Sequence, residues 1–67
     1  MRVSYDKLWK LVKNNKMTKR DLAQAAGFSQ YMMGQFAKGE YVSLKEIAIL
    51  CAIFHCDIGD VVEIIED

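Results

Sequence analysis

The stretch Met17-Thr-Lys-Arg-Asp-Leu-Ala-Gln-Ala-Ala-Gly-Phe-Ser-Gln-Tyr-Met-Met-Gly-Gln-Phe-Ala-Lys-Gly39, MTKRDLAQAAGFSQYMMGQFAKG, decides how the chain is read. Thr18 is an N-cap residue, and Asp21, three positions on, answers it as a short form of the capping box. Leu22, Ala23 and Ala26 give the helix that follows an inward face. The alanines are small enough to let a neighbouring helix come close. Gly27 stands where a left-handed C-terminal residue is wanted. One residue, Phe28, separates it from Ser29, the next N-cap. So short a connection forces the two helices to cross steeply. The second of them runs from Gln30 to about Ala37, and Gly39 ends it. At helical spacing Met33, Phe36 and Ala37 point one way, and Gln30, Tyr31, Gly34, Gln35 and Lys38 the other, with Met32 on the boundary. Gly34 in the helix interior costs about 1 kcal/mol relative to alanine.

Working outward, Ser4 is an N-cap for a first helix to about Asn14, with Asp6 near the positive end of its dipole. Tyr5, Leu8, Trp9, Leu11 and Val12 form its apolar arc, and Asp6, Lys7, Lys10, Lys13 and Asn14 its polar one. After the loop Glu40-Tyr41-Val42, Ser43 caps a fourth helix from Leu44 to about Phe54. Leu44, Ile47, Ala48, Cys51 and Phe54 point inward with Leu50 beside them. Ile49, Ala52 and Ile53 make that helix apolar almost all round, the pattern of central or interface burial. Asp57 caps a last turn, Ile58 to about Val62. The tail from Glu63 is helical or extended, and Val3 is a candidate to pair with it. The expected core is Leu8, Leu11, Leu22, Ala26, Phe36, Ile47, Cys51 and Phe54. The fold expected is all-α: a compact bundle of five helices in a single domain over residues 1–67.

A chain of 67 residues, 52% of them hydrophobic, supports one small core. The longest apolar run, Ile47 to Phe54, is too short to span a bilayer, and no secretory signal opens the chain, so a cytoplasmic protein is expected. Net charge is zero but unevenly placed. Residues 1–20 carry seven basic groups against one acid, while residues 46–67 carry six acids and no Lys or Arg. Such a field draws a polyanion to one side and turns the other away. Cys51, His55 and Cys56 suggest zinc, but a structural site wants four ligands and the rest are missing. Inert buried thiols are the better reading, with no metal and no cofactor. One histidine, no Ser-His-acid set and no phosphate loop leave little for an enzyme.

Thr18, Leu22-Ala23, Ala26-Gly27, Ser29, Met33, Phe36 and Gly39, continued by Ser43-Leu44 through Ile47 and by Phe54 through Ile58 to Val61, resemble the Cro and phage-repressor type helix-turn-helix family. The chain looks most like its short stand-alone, VanU-like members. The resemblance covers nearly the whole chain. It implies a lambda-repressor-like DNA-binding fold with the helix-turn-helix at about residues 18–38. It further implies a transcriptional regulator that binds specific duplex DNA, usually as a homodimer on a pseudo-palindromic operator, the third helix entering the major groove. Carried over by position, Gln30, Tyr31, Gly34 and Gln35 fall on the base-reading face. Thr18, Lys19, Arg20, Ser29 and Lys38 fall on backbone contacts.

The chemistry of these side chains agrees in part. Glutamine matches the donor and acceptor of adenine, Tyr31 suits a phosphate or a thymine methyl, and Gly34 lets the backbone sit deep. The N-terminal amides at Lys19 and Arg20 suit a phosphate. Ile49, Ile53, Ile64 and Ile65 are candidate apolar surface for pairing. The family commonly has polar or basic residues where this chain has Tyr31, Met32, Gly34 and Ala37. Aromatic and methionine side chains are typical of protein interfaces, so a regulatory adaptor that binds another protein through the third helix is the rival reading.

Overall fold

In a computed structural model that describes residues 1–66, four α-helices carry the chain: α1 (Asp6–Asn14), α2 (Lys19–Ala26), α3 (Gln30–Ala37) and α4 (Leu44–Phe54). Two short strands, β1 (Arg2–Ser4) and β2 (Glu63–Ile65), close the two ends of the chain into an antiparallel pair. Val3 faces Ile64 in register, so the extended alternative for the tail is the one realised. Asp67 lies outside the described residues.

The expected fifth helix is not formed. In its place stands a single 3-10 turn, Ile58–Asp60. Asp57 accepts the Ile58 N–H at 2.8 Å, and the Asp60 carboxylate accepts the Asp57 N–H at 3.1 Å. That box closes a short turn around Gly59, a poor helix former, and the β-branched residues beyond it favour a strand. The first helix also starts later than Ser4 predicts. Tyr5 holds the cap position without a side-chain capping bond, and the Ser4 hydroxyl accepts the Asp6 N–H at 3.3 Å.

The core comprises Val3, Tyr5, Leu8, Val12, Leu22, Phe36, Ile47, Leu50 and Val61. Leu11, Cys51 and Phe54, expected at its centre, are half-buried and pack against it, and Ala26 is half-buried too. Leu44 and Ala48, expected inward, are exposed, as is Ala37. The reason is the composition of α4. A helix apolar all round has no polar face to fix its rotation, so the stripe of Ile47 and Leu50 turns inward and Leu44 turns out. Of the isoleucines expected to offer a pairing surface, Ile49, Ile53 and Ile65 are half-buried and Ile64 is exposed.

Three aromatic rings set the position of α3. Phe36, on its inner face, meets Tyr5 edge-on at 4.8 Å and Phe28 in a stack at 5.7 Å. The Tyr5 hydroxyl donates to the Glu40 carbonyl at 2.6 Å, tying the loop after α3 to the start of α1.

Candidate nucleic-acid interface

α2 begins with a complete capping box. The Thr18 hydroxyl accepts the Asp21 N–H at 3.1 Å, and the Asp21 carboxylate accepts the Thr18 N–H at 2.9 Å. α2 ends at Gly27 in the left-handed region, φ 71°, where the Phe28 N–H reaches back to the Ala23 carbonyl at 2.9 Å. Phe28 then dips onto Phe36, and the Ser29 hydroxyl caps α3 by accepting the Met32 N–H at 3.1 Å. These local bonds follow from Thr18, Gly27 and Ser29 in the sequence, and they fix the angle at which α3 leaves α2.

The outer face of α3 is a shallow hollow of about 370 Å³ lined by Gln30, Tyr31, Gly34, Gln35, Lys38 and Glu40. The four expected base-reading residues are thus gathered on one surface. Tyr31 projects furthest, 76% exposed, while Gly34 and Gln35 are half-buried rather than fully exposed. The Gln35 amide lies 3.5 Å from the Tyr31 hydroxyl, donating to it along one helix turn. That contact biases the Gln35 rotamer before any partner arrives. Gly34 has open space around it: a Cβ there would meet nothing within 4 Å.

A second hollow of about 240 Å³ lies between the starts of α2 and α3, lined by Lys19, Arg20, Ala23, Phe28, Gln30 and Met33. It brings two of the expected backbone-contact residues, Lys19 and Arg20, beside Gln30, which also lines the first hollow. Thr18 and Ser29 are committed to their own caps, so their hydroxyls already accept backbone N–H groups. The Asp21 carboxylate sits in the first turn of α2 and weakens the attraction of that helix end for an anion.

Three contributors lie outside the sequence reading. Trp9, expected in the core, is half-buried and carries the Lys19 ammonium over its ring at 4.7 Å. Nothing in the spacing of residues 9 and 19 announces that contact. Glu40 places an acid on the rim of the first hollow. Its position directly after Gly39 was a signal, since the residue after a left-handed helix end folds back on the last turn. Its N–H does so, bonding the Gln35 carbonyl at 2.9 Å. Phe28 is the third, through its stack on Phe36. Among the described residues no group of three or more His, Cys, Asp or Glu side chains could hold a metal ion. Nor, among them, is any helix long and apolar enough to cross a membrane.

Two helices joined by this left-handed turn, the second with a polar outer face beside a basic helix start, define a helix-turn-helix of the nucleic-acid-binding type. The comparisons with known proteins agree. A family model described as the Cro/C1-type helix-turn-helix DNA-binding domain matches residues 7–67. The chain belongs to that family. It is similar to a crystal structure of the transcriptional regulator VanUg (form II), with 39% sequence identity and a TM-score of 0.93 over 98% of this chain and 88% of that one. No curated protein matches the sequence.

Proposed function

We propose that the chain is a transcriptional regulator that binds specific duplex DNA as a homodimer on a pseudo-palindromic operator, with α3 in the major groove. The observation that carries this reading is the single surface on which Gln30, Tyr31, Gly34 and Gln35 stand together, with Lys19 and Arg20 adjoining it through Gln30. The similarity to VanUg supports the regulatory role. Gln30 and Gln35 read A·T pairs by pairing with adenine N6 and N7, while Lys19, Arg20 and Lys38 meet phosphates. The Thr18 and Ser29 hydroxyls accept cap N–H groups and keep their own O–H to donate to a phosphate.

A second copy is required because one α3 reads too few base pairs for useful specificity. Tyr41, Leu44, Ile58 and Ile64 are large exposed hydrophobics, and Leu44 and Ile58 both line the two hollows at the start of α4. That patch, which begins in the loop leaving α3, supports pairing there. Half-sites about 10 base pairs apart are then expected, centre to centre.

The test is selection of bound sites from random duplexes, followed by fluorescence anisotropy on the selected site and on scrambled DNA. Gln30→Ala or Gln35→Ala weakens binding to the selected site by about 1–3 kcal/mol and relaxes the preference at one base pair. Lys19→Ala or Lys38→Ala weakens binding to all sequences alike and lowers the salt slope by about one per half-site. Glutamine variants that bind both DNAs as the parent does would remove the base-reading assignment. The exposed ring of Tyr31 beside the acid Glu40 is what favours the adaptor reading. A parent with no site preference, whose binding to a cellular protein Tyr31→Ala abolishes, would put that reading in its place.

A further inference from the structure

The two cysteines were expected to be inert and buried, and they are neither fully buried nor apart. Both are free and half-buried. They occupy the two positions that meet at the end of α4. His55 adopts the left-handed conformation there, φ 53°, and the Cys56 N–H bonds the Cys51 carbonyl at 3.1 Å. In this helix ending the residue beyond the left-handed position normally makes an apolar contact with the residue five before it. Here both partners of that contact are thiols. A disulfide needs α-carbons within roughly 4.4–6.8 Å, a separation of the order that a direct backbone bond between the same two residues imposes. Cys51 also lines an open hollow of about 480 Å³ with Leu44, Ile47, Ala48, Asp57 and Ile58, so in a single chain, before Leu44 and Ile58 pair with a second copy, a small reagent has a path to it.

We propose that Cys51 and Cys56 are a dithiol modification site that exchanges with small-molecule disulfides of the glutathione class to form a reversible intrachain disulfide. Cys51, on the open hollow, attacks first. Its thiolate displaces one glutathione thiolate and leaves a mixed disulfide on Cys51. The Cys56 thiolate then attacks the Cys51 sulfur and expels the second glutathione. Two electrons pass from the cysteines to the reagent, and the two cysteine protons end on the two glutathione thiols. Burial pushes the Cys56 thiol up, reinforced by neighbouring Cys51, Asp60 and Asp57, which fits the resolving role better than the attacking one. The bridge ties the last turn of α4 to the segment that carries the 3-10 turn, without reaching the α3 surface.

The experiment treats the folded, reduced protein with oxidised glutathione and follows intact mass, free thiols and non-reducing electrophoresis. The parent is expected to lose two hydrogen masses and both free thiols. It stays monomeric on the gel, keeps its helical circular dichroism, and returns to the starting mass with dithiothreitol. Cys56→Ser is expected to stop at a stable glutathione adduct on Cys51, and Cys51→Ser to react much more slowly. Thiols that stay unmodified until the protein is denatured would overturn the proposal. So would a parent that stops at the mixed disulfide, or one that forms only disulfide-linked dimers. If either serine variant fails to fold, peptide mapping of the oxidised parent decides the matter by showing or excluding a Cys51–Cys56 link.

Discussion

Lys16 and His55 hold the same left-handed backbone as Gly27 and Gly39, with φ of 56° and 53° against 71° and 72°. All four helices therefore end in one way, with an N–H just beyond the left-handed residue bonded to a carbonyl five back. Glycine takes that conformation freely. A side chain costs roughly 1–2 kcal/mol there, while glycine gives back about 0.5–1 kcal/mol through its freer unfolded state. Lys16→Gly and His55→Gly are each expected to stabilise the fold by about 0.5–1 kcal/mol, read as a rise of a few degrees in Tm. A fall would show that the side chain contributes more than its backbone costs. Tyr5 makes a pH-dependent contribution. Burial pushes its hydroxyl above the ordinary 10.0, against a smaller opposing effect of the Val42 backbone. Above pH 10 the unfolded chain gives up this proton and the folded one keeps it. The contribution is thus fully present below that pH and is lost as pH rises through the folded value. Urea unfolding of the parent is expected to weaken more steeply above pH 10 than that of Tyr5→Phe.

At the scale of elements, what was legible is what local bonds determine. Thr18 with Asp21, Gly27, Ser29, Gly39 and Ser43 each act on a backbone group within a few residues, so α2, α3 and the start of α4 follow from the sequence. The rotation of α4 was not legible because its apolar residues surround it, and Leu44 and Ile47 looked equally inward. The last turn was misjudged because Asp57 caps a 3-10 turn as well as it caps an α-helix. The outward face of α3, with Gln30, Tyr31, Gly34, Gln35 and Lys38, was legible from helical spacing, whereas the Lys19–Trp9 contact depends on how α1 and α2 pack. Gly34 separates the fold's interest from the site's. It sits inside α3, and a methyl group there meets nothing. Gly34→Ala is expected to stabilise the fold by up to about 1 kcal/mol. If the backbone of α3 rests against the duplex, the same change weakens DNA binding. Raised Tm together with unchanged affinity would remove Gly34 from the reading face.

Across the whole molecule, the charge split along the chain is only in part a split in space. β1 pairs with β2, and the Lys7 ammonium donates to the Gly59 carbonyl at 3.0 Å, so the basic start is stitched to the acidic end. The field at the interface rests on the groups nearest it: Lys19, Arg20 and Lys38, opposed by Asp21 and Glu40. With so few cations on each copy, long-range attraction is modest, and under the proposed homodimer useful affinity depends on two copies binding together. Leu44 tests that dependence. It is 70% exposed, so replacing it leaves the core intact. Measured at a concentration low enough that the parent too is monomeric, Leu44→Asp is expected to change the unfolding free energy by less than about 0.5 kcal/mol. It is expected to shift sedimentation from dimer to monomer and to weaken binding to a two-half-site operator by at least tenfold, about 1.4 kcal/mol. Binding to a single half-site stays as in the parent, because α3 is untouched. If Leu44→Asp remains dimeric, the pairing face lies elsewhere on the molecule. If it is monomeric but binds the full operator as the parent does, the copies meet DNA independently and the pairing of subunits contributes nothing to affinity.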